Sequence, residues 1–440
     1  MKKIPLHTKI IIGLILGLLF GIASIQFGWD ASFTTDYIKP FGTIFVNSLK
    51  MIAVPLVLAS LIVGVANLGD ISKLSRIGGK TIFIYLITTV IAITIGLVAV
   101  NVLQPGKKLP AETRDQLLAL YTINAEKSSD IAEDLKTRSP LQPIVDIIPE
   151  NFFAATTDNS AMLQVVFFAI IAGIALLQIP KEKGASVISF FDGLNDVIIK
   201  IVEYIMIFAP YGVFALIASL LVEIAGDNPD KAFELLYALL WYTLTVVIGL
   251  ASMVLIIYPA IFKLFTKIKY RDFFIGMRPA QLLAFSTSSS SATLPVTMKQ
   301  VEEELGVSEE VSSFVLPLGA TINMDGTSLY QAVAAVFIAQ ALGLGLSIGA
   351  QLMIVLTATL ASIGSAGVPG AGMVMLVIVL ESIGIPTAGI ALIVAPDRIL
   401  DMCRTVVNVT GDATVTMVVA STEGELPDGL IRKTIVTAPA

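Results

Sequence analysis

Charge is what this chain has least of. Of its 440 residues only 14% are charged, against about 25% in soluble domains, while 55% are hydrophobic. Mean hydropathy is +0.86. That balance excludes a soluble enzyme or binding module and implies an integral membrane protein in contact with a lipid bilayer, with no nucleic-acid partner. Histidine occurs once, at His7, which removes a histidine-ligated metal site and a Ser–His triad inside the membrane. The one cysteine, Cys403, excludes an intramolecular disulfide. The formal net charge of −6 decides little, because in a membrane protein its distribution matters more than its sum.

What is present is long apolar runs. They fall near Ile10–Phe27, Phe41–Leu68, Thr81–Leu103, Met162–Leu177, Val187–Val222, Leu235–Phe262 and Phe314–Leu342. Each can cross about 30 Å of hydrocarbon, some only with tilt or interruption. The first run follows Lys2, Lys3 and Lys9 but meets no small-residue cleavage site, so it reads as a retained helix. Positive residues gather there, at Lys73, Arg76 and Lys80, at Lys181 and Lys183, and at Lys263, Lys267, Lys269 and Arg271. They alternate with acidic or neutral segments such as Asp30–Asp36 and Gly226–Asp230. The pattern predicts a cytoplasmic amino terminus and an even number of spans before Arg271. The polar, proline-punctuated stretch Gln104–Pro149 is expected to be an external loop, flexible at least in part.

Beyond Arg271 two apolar segments are interrupted by small residues, Ser286–Pro295 and Ala361–Gly372. Each precedes a helix with a polar motif: Asn323-Met-Asp-Gly-Thr327 after the first, and Asp397–Asp412 after the second. Lipid-facing irregular backbone is not tolerated, so both runs are expected to be re-entrant hairpins whose tips line a cavity. Interrupted segments in corresponding positions point to inverted repeats with a binding site at the midplane. At 100° per residue, Asp397, Asp401, Arg404, Thr405, Asn408 and Asp412 fall within about 100° of one another on one helix face. A central charge costs roughly 2.5–3.5 kcal/mol on insertion scales, so the stripe is expected to face a cavity and bind something. An internal ion pair explains Asp401 with Arg404, but not two more carboxylates and an asparagine on that face.

Arg404 offers the planar bidentate donor that a buried carboxylate needs, and Asp401 can hold an ammonium. Backbone N–H groups near Ser290 can take a second carboxylate, and Thr327, Thr405 and Asn408 add neutral hydrogen bonds. The sum describes an acidic amino acid. Asp325 and Asp412 remain, and hard monovalent cations prefer such oxygens together with unwound carbonyls. Gly326 directly after Asp325 predicts a helix break with free carbonyls, and Tyr85, Thr88 and Thr89 form a hydroxyl cluster able to partner Asp325.

These motifs, from Lys2 to about Ala420, resemble the glutamate/aspartate transporter family, the dicarboxylate/amino acid:cation symporters. The resemblance implies an all-α membrane protein of eight transmembrane helices plus two re-entrant hairpins, built as a homotrimer of independent elevators. In it, residues 1–78 and 149–225 would form a scaffold of helices one, two, four and five. The transport domain would comprise helix three (79–104), helix six (230–270), hairpin one (271–305), helix seven (307–342), hairpin two (346–383) and helix eight (386–420). An external loop (105–148) and a cytoplasmic tail (421–440) would complete the chain, in a plasma or inner membrane with both termini cytoplasmic.

The resemblance also assigns roles. Arg404 would bind the side-chain carboxylate and Asp401 the α-amine. Asn408, Thr405 and the Ser289–Ser290 backbone would hold the α-carboxylate, with Thr327 beside the side chain and Val368 and Gly372 closing over it. Sodium would be the cargo ion, three per protomer. One ion would use Asp412 with carbonyls of Gly319, Asn323 and Asn408. A second would use Tyr85, Thr88, Thr89, Asn323 and Asp325, and a third the carbonyls of Thr321, Ser362, Ile363 and Ser365. Proton-coupled members carry Glu where this chain has Gln331. Archaeal-type members carry Arg at the position of Ser288, animal-type members at that of Met402, and this chain has neither. The alternatives are a proton-coupled C4-dicarboxylate symporter, against which Asp401 and Gln331 count, and an anion channel. An intramembrane enzyme is not expected, because the serine run lacks a paired base.

Overall fold

The computed structural model describes residues 6–67, 75–121, 148–157, 161–225, 230–363, 365 and 367–426. Lys2, Lys3, Lys73, Gly364, most of the expected 105–148 loop (122–147), residues 226–229 and most of the tail (427–440) lie outside the described residues. Among the described residues every regular element is helical, as hydrocarbon demands of backbone that must satisfy its own hydrogen bonds.

The apolar runs before Arg271 become α1 (Leu6–Gln26), α2 (Lys39–Asn67), α3 (Ser75–Leu103), α4 (Met162–Gln178), α5 (Lys181–Ala225) and α6 (Asp230–Ser252). A π turn, Met253–Ile257, carries the chain from α6 into a further helix, Tyr258–Phe265. Five helices among the described residues are long and apolar enough to cross a membrane. Leu19, Phe83, Val102, Leu255 and Leu264 are among the many exposed large apolar side chains, far more than a soluble monomer shows. That surface is made for lipid.

After Arg271 come α7 (Arg278–Thr287) and α8 (Ser290–Lys299), the arms of the first hairpin, then α9 (Glu309–Ile322) and α10 (Asp325–Ala341). The second hairpin has arms α11 (Ile348–Ile363) and α12 (Ala371–Ser382), and α13 (Ile390–Glu423) is the last helix among the described residues.

Packing falls into two groups. Helices α1, α2 and α4 pack on α5 or on one another, while α3, α6 and α13 surround α10 together with the second hairpin. On α1, Gly13, Gly17 and Gly21 repeat every fourth residue and let α5 approach; a Cβ on Gly17 would lie 2.7 Å from the Phe214 carbonyl oxygen. All of α10 is buried, so it is the axis of the second group.

Three expectations are corrected. The Ser286–Pro295 run is mostly helix: only Ser288 and Ser289 leave it, Ser288 at φ 53° and Ser289 extended as the cap of α8. The break before Asp325 falls at Asn323 (φ −108°, ψ 93°) and Met324, not after the carboxylate, and Asp325 and Gly326 open α10. Gly326 instead permits close contact, since a Cβ there would lie 2.6 Å from the Arg404 carbonyl oxygen. The 105–148 stretch is not all loop: Pro105–Lys108 is a 3-10 turn and Ala111–Tyr121 a helix. That helix is tied to α6 by Lys231 with Glu112 at 2.7 Å and by Thr113 Oγ1 donating to Glu234. The Lys231 hydrogen bond and charge hold the Glu112 carboxyl below the usual carboxylate range.

Candidate binding site

The two hairpin tips meet. Ser289 Oγ donates to the Gly367 carbonyl at 2.6 Å, and the Ser291 amide donates to the same oxygen at 3.2 Å. Ser289 Oγ also accepts from the Ala292 amide, capping α8. The Ser291 and Ala292 amides, next to the expected Ser289–Ser290 backbone, are thus bonded, the first of them by the opposite hairpin, and the Ser289 amide donates to Thr287 Oγ1 at 3.3 Å. Beneath the tips lies a cleft lined by Ser288, Ser290, Met324, Thr327, Ser365, Gly367, Val368, Gly372, Asp401, Thr405 and Asn408. The space left in it for water centres is about 10 Å³, roughly one water molecule. A larger cavity of about 450 Å³ lies elsewhere, lined by Met51, Val54, Pro55, Leu58, Phe152, Phe153 and Thr156, and carries no charged group.

The stripe on α13 does face inward. Arg404 is fully buried, with Nη1 3.1 Å from Asp397 Oδ1 and Nη2 2.7 Å from Asp401 Oδ1. Its guanidinium lies 3.8 Å from the centre of the Tyr330 ring, a cation–π contact. Arg404 stands behind the cleft: a Cβ on Gly372 would come within 3.3 Å of its Nη1. Asp401 Oδ2 accepts from the Gly370 amide at 3.1 Å and from Arg398 at 3.3 Å. Both carboxylate oxygens are therefore occupied, and the left-handed Gly370 (φ 83°) points its N–H at the charge. Gln331 Nε2 donates to the Gly372 carbonyl, tying α10 to the start of α12. Asn408 bridges to α10, accepting from the Gly326 amide at 2.8 Å and donating to Thr327 Oγ1 at 3.2 Å. Thr405 Oγ1 donates to its own helix at the Asp401 carbonyl.

One or two turns further along α13 is a cluster of oxygens. Asn323 Nδ2 donates to Asp412 Oδ1 at 2.8 Å, and Thr88 Oγ1 lies 3.5 Å from Asn323 Oδ1. Thr89 Oγ1 donates to Asp325 Oδ1 at 2.9 Å. The Tyr85 hydroxyl donates to the Val315 carbonyl, and a Cβ on Gly319 would collide with that hydroxyl and lie 2.6 Å from Asp412 Oδ1. Single carboxylates among neutral oxygens and broken-helix carbonyls suit a monovalent hard cation. Among the described residues no three His, Cys, Asp or Glu side chains converge as a divalent metal site would need.

The third expected set is brought together in part. Ser362 Oγ accepts from the Met324 amide at 3.0 Å and donates to the Ile322 carbonyl at 3.2 Å, seating α11 against the α9–α10 break. Thr321 is exposed, and its hydroxyl returns to the Leu318 carbonyl. Ile363 ends α11, and the Ser365 amide donates to the Ser362 carbonyl.

Several residues were not legible as site residues. Tyr258 donates to Asp325 Oδ2 at 2.9 Å, completing that carboxylate's partners. Its signal was a lone hydroxyl in an apolar run; the π turn before it, which re-aims the side chain, has no sequence signature. Arg398 joins the charged stripe, to which Asp397 already belongs by position, through an ion pair with Asp401 that only the tertiary structure reveals.

Comparison with known proteins agrees with this geometry. The sodium:dicarboxylate symporter family matches residues 6–422. The chain is 37% identical over 428 residues to a proton/sodium-glutamate symport protein of Geobacillus stearothermophilus, covering 97% of this chain and 96% of that one. It is 34% identical over 427 residues to the proton/glutamate-aspartate symporter of Escherichia coli (strain K12), covering 96% and 93%. It is 36% identical over 436 residues to excitatory amino acid transporter 3 of Homo sapiens, covering 91% and 82%. An all-α membrane architecture, a buried Asp–Arg stripe under two meeting hairpins and a full-length match lead to one assignment: this chain belongs to the sodium:dicarboxylate symporter family.

Proposed function

We propose that this protein is a sodium-driven symporter that takes up acidic amino acids, L-aspartate or L-glutamate, by an elevator mechanism. The observation that carries this reading is the pairing of buried Arg404 with Asp401 at a cleft under both hairpin tips. An acidic amino acid presents two carboxylates and one ammonium. Arg404 answers the side-chain carboxylate, Asp401 the ammonium, and Asn408, Thr405 and the Ser289–Ser290 backbone the α-carboxylate. Thr327, Val368 and Gly372 enclose the side chain.

With room for about one water, the cleft must open to admit substrate. The second hairpin is the segment that opens, as the outer gate. Its bonds to the first tip, through Gly367, are few and local. Three sodium ions per protomer travel with the substrate, at Asp412 with Gly319, Asn323 and Asn408, at Tyr85, Thr88, Thr89, Asn323 and Asp325, and at Thr321, Ser362, Ile363 and Ser365. The group α1, α2, α4 and α5 is the static scaffold of a homotrimer, and the group around α10 moves against it. The protein resides in the plasma or inner membrane with cytoplasmic termini. The relatives' names, glutamate and glutamate-aspartate symporters, support the substrate class.

The test is uptake of radiolabelled aspartate into proteoliposomes with an imposed inward sodium gradient, beside radiolabelled succinate. Aspartate accumulation that collapses without the gradient is expected. Equal succinate uptake would overturn the amino-acid reading, because succinate has no ammonium for Asp401.

A further inference from the structure

Arg404 does not face the cleft as a free cation. Asp397 at 3.1 Å and Asp401 at 2.7 Å already flank it, so the three groups together carry a net charge of −1. An acidic amino acid brings one ammonium for Asp401 but two carboxylates, so its side-chain carboxylate would share one guanidinium with Asp397 and Asp401, in surroundings that screen charge poorly. The ion expected at Asp412 does not correct this imbalance locally. Asp412 stands eleven residues along α13 from Asp401, about 16 Å at 1.5 Å per residue.

The missing charge is supplied by Arg398. It is 6% exposed, lies three residues before Asp401 on α13, and donates from Nη1 to Asp401 Oδ2 at 3.3 Å. Its Nε is buried with no hydrogen-bond partner, and among the described residues the ion pair with Asp401 answers its charge. With Arg398 the cluster Asp397, Arg398, Asp401 and Arg404 sums to zero. Arg398 also holds Asp401 Oδ2 beside the Gly370 amide, the contact through which the second hairpin touches the charged stripe.

We propose that Arg398 is a positioning and specificity-determining residue. By neutralising the second carboxylate on Arg404, it leaves Arg404 attractive to an acidic side chain and so sets the preference for acidic over neutral substrates. This rests on the proposed binding of an acidic amino acid at the cleft. Arg398 is not itself among the residues that line the cleft and acts through Asp401, which is.

The experiment is calorimetric titration of purified protein in detergent with sodium, using L-aspartate and its uncharged isostere L-asparagine, the latter by displacement where weak. Arg398→Gln is expected to weaken aspartate at least ten-fold while asparagine changes less than three-fold. Arg398→Lys, which keeps the charge without the fork, is expected to restore the aspartate-to-asparagine ratio to within three-fold of the parent. A ratio unchanged in Arg398→Gln, or both ligands weakened alike, would make Arg398 a packing residue and overturn the inference while leaving the transport reading intact. Parent protein that binds no aspartate would overturn that reading and this one together. Should Arg398→Gln not fold, judged by its thermal unfolding with sodium, Arg398→Lys decides: a lost ratio in this charge-keeping variant refutes the charge argument, and a kept one supports it.

Discussion

Arg404 is fully buried, and its guanidinium meets two carboxylates and the Tyr330 ring. Removing it would leave Asp397 and Asp401 without their common partner and, in the proposed binding mode, the substrate carboxylate without a donor. Breaking a buried charge pair in this way costs about 2–5 kcal/mol of binding. Arg404→Ala or Arg404→Cys is therefore expected to lose measurable aspartate binding by calorimetry, with admission of neutral amino acids as the companion outcome. Aspartate affinity equal to the parent's would refute the role. The neighbouring Cys403 is different. It is half-buried, about 100° round the helix from Arg404, and packs against the apolar core. Cys403→Ser and Cys403→Ala should both retain sodium-driven uptake, and complete loss in both would show that the thiol does more than fill space.

At the scale of elements, the second hairpin connects the substrate cleft with the oxygen-rich break before α10. The last turn of its first arm carries Ser362, bonded to Ile322 and Met324 at that break, and the start of its second carries Gly370 and Gly372, bonded to Asp401 and Gln331. Ordering one end therefore favours order at the other. Sodium is expected to lower the apparent aspartate Kd steeply, and aspartate to tighten sodium binding by the same factor, as linkage requires. Titrations across a range of sodium concentrations check this. Aspartate affinity that ignores sodium would remove the coupling. The first hairpin is smaller in its irregular part, and that also has a physical cause. Ser289 caps α8 with its own hydroxyl, so only two residues need leave the helix.

For the whole molecule, what moves with substrate decides the energy source. Gln331 is buried on α10 and donates its amide to the Gly372 carbonyl. An amide has no proton to exchange in the accessible range. Uptake driven by sodium is expected to vary little with external pH between about 5.5 and 8, a window above ordinary carboxylate pKa values. Replacing Gln331 by Glu should introduce pH dependence, because only the protonated acid can donate to the Gly372 carbonyl as the amide does. Proteoliposome uptake under a sodium gradient, with internal pH followed by a trapped dye, checks both. Substrate-dependent acidification that survives ionophore controls would overturn the first.

The chain order and periodicity alone determined that this is a helical membrane protein, where most of its long apolar helices run, and which face of α13 is polar. These are local properties: hydropathy over twenty residues and a 100° step depend on nothing distant. The motif around Asp325 and the stripe through Asp412 were legible for the same reason. Only the tertiary structure decided the partners. Arg398 turns to Asp401 rather than outward, Tyr258 reaches Asp325 across 67 residues, and the Gly367 carbonyl takes the donors of the opposite hairpin. Where the α9–α10 helix breaks was also settled by contact. Gly326 stays helical with α13 pressed against it, and the unwinding moves to Asn323 and Met324, where Ser362 takes the Met324 N–H and the Ile322 carbonyl and the Asn323 side chain donates to Asp412. Such pairings depend on which surfaces meet, and residue spacing does not encode that.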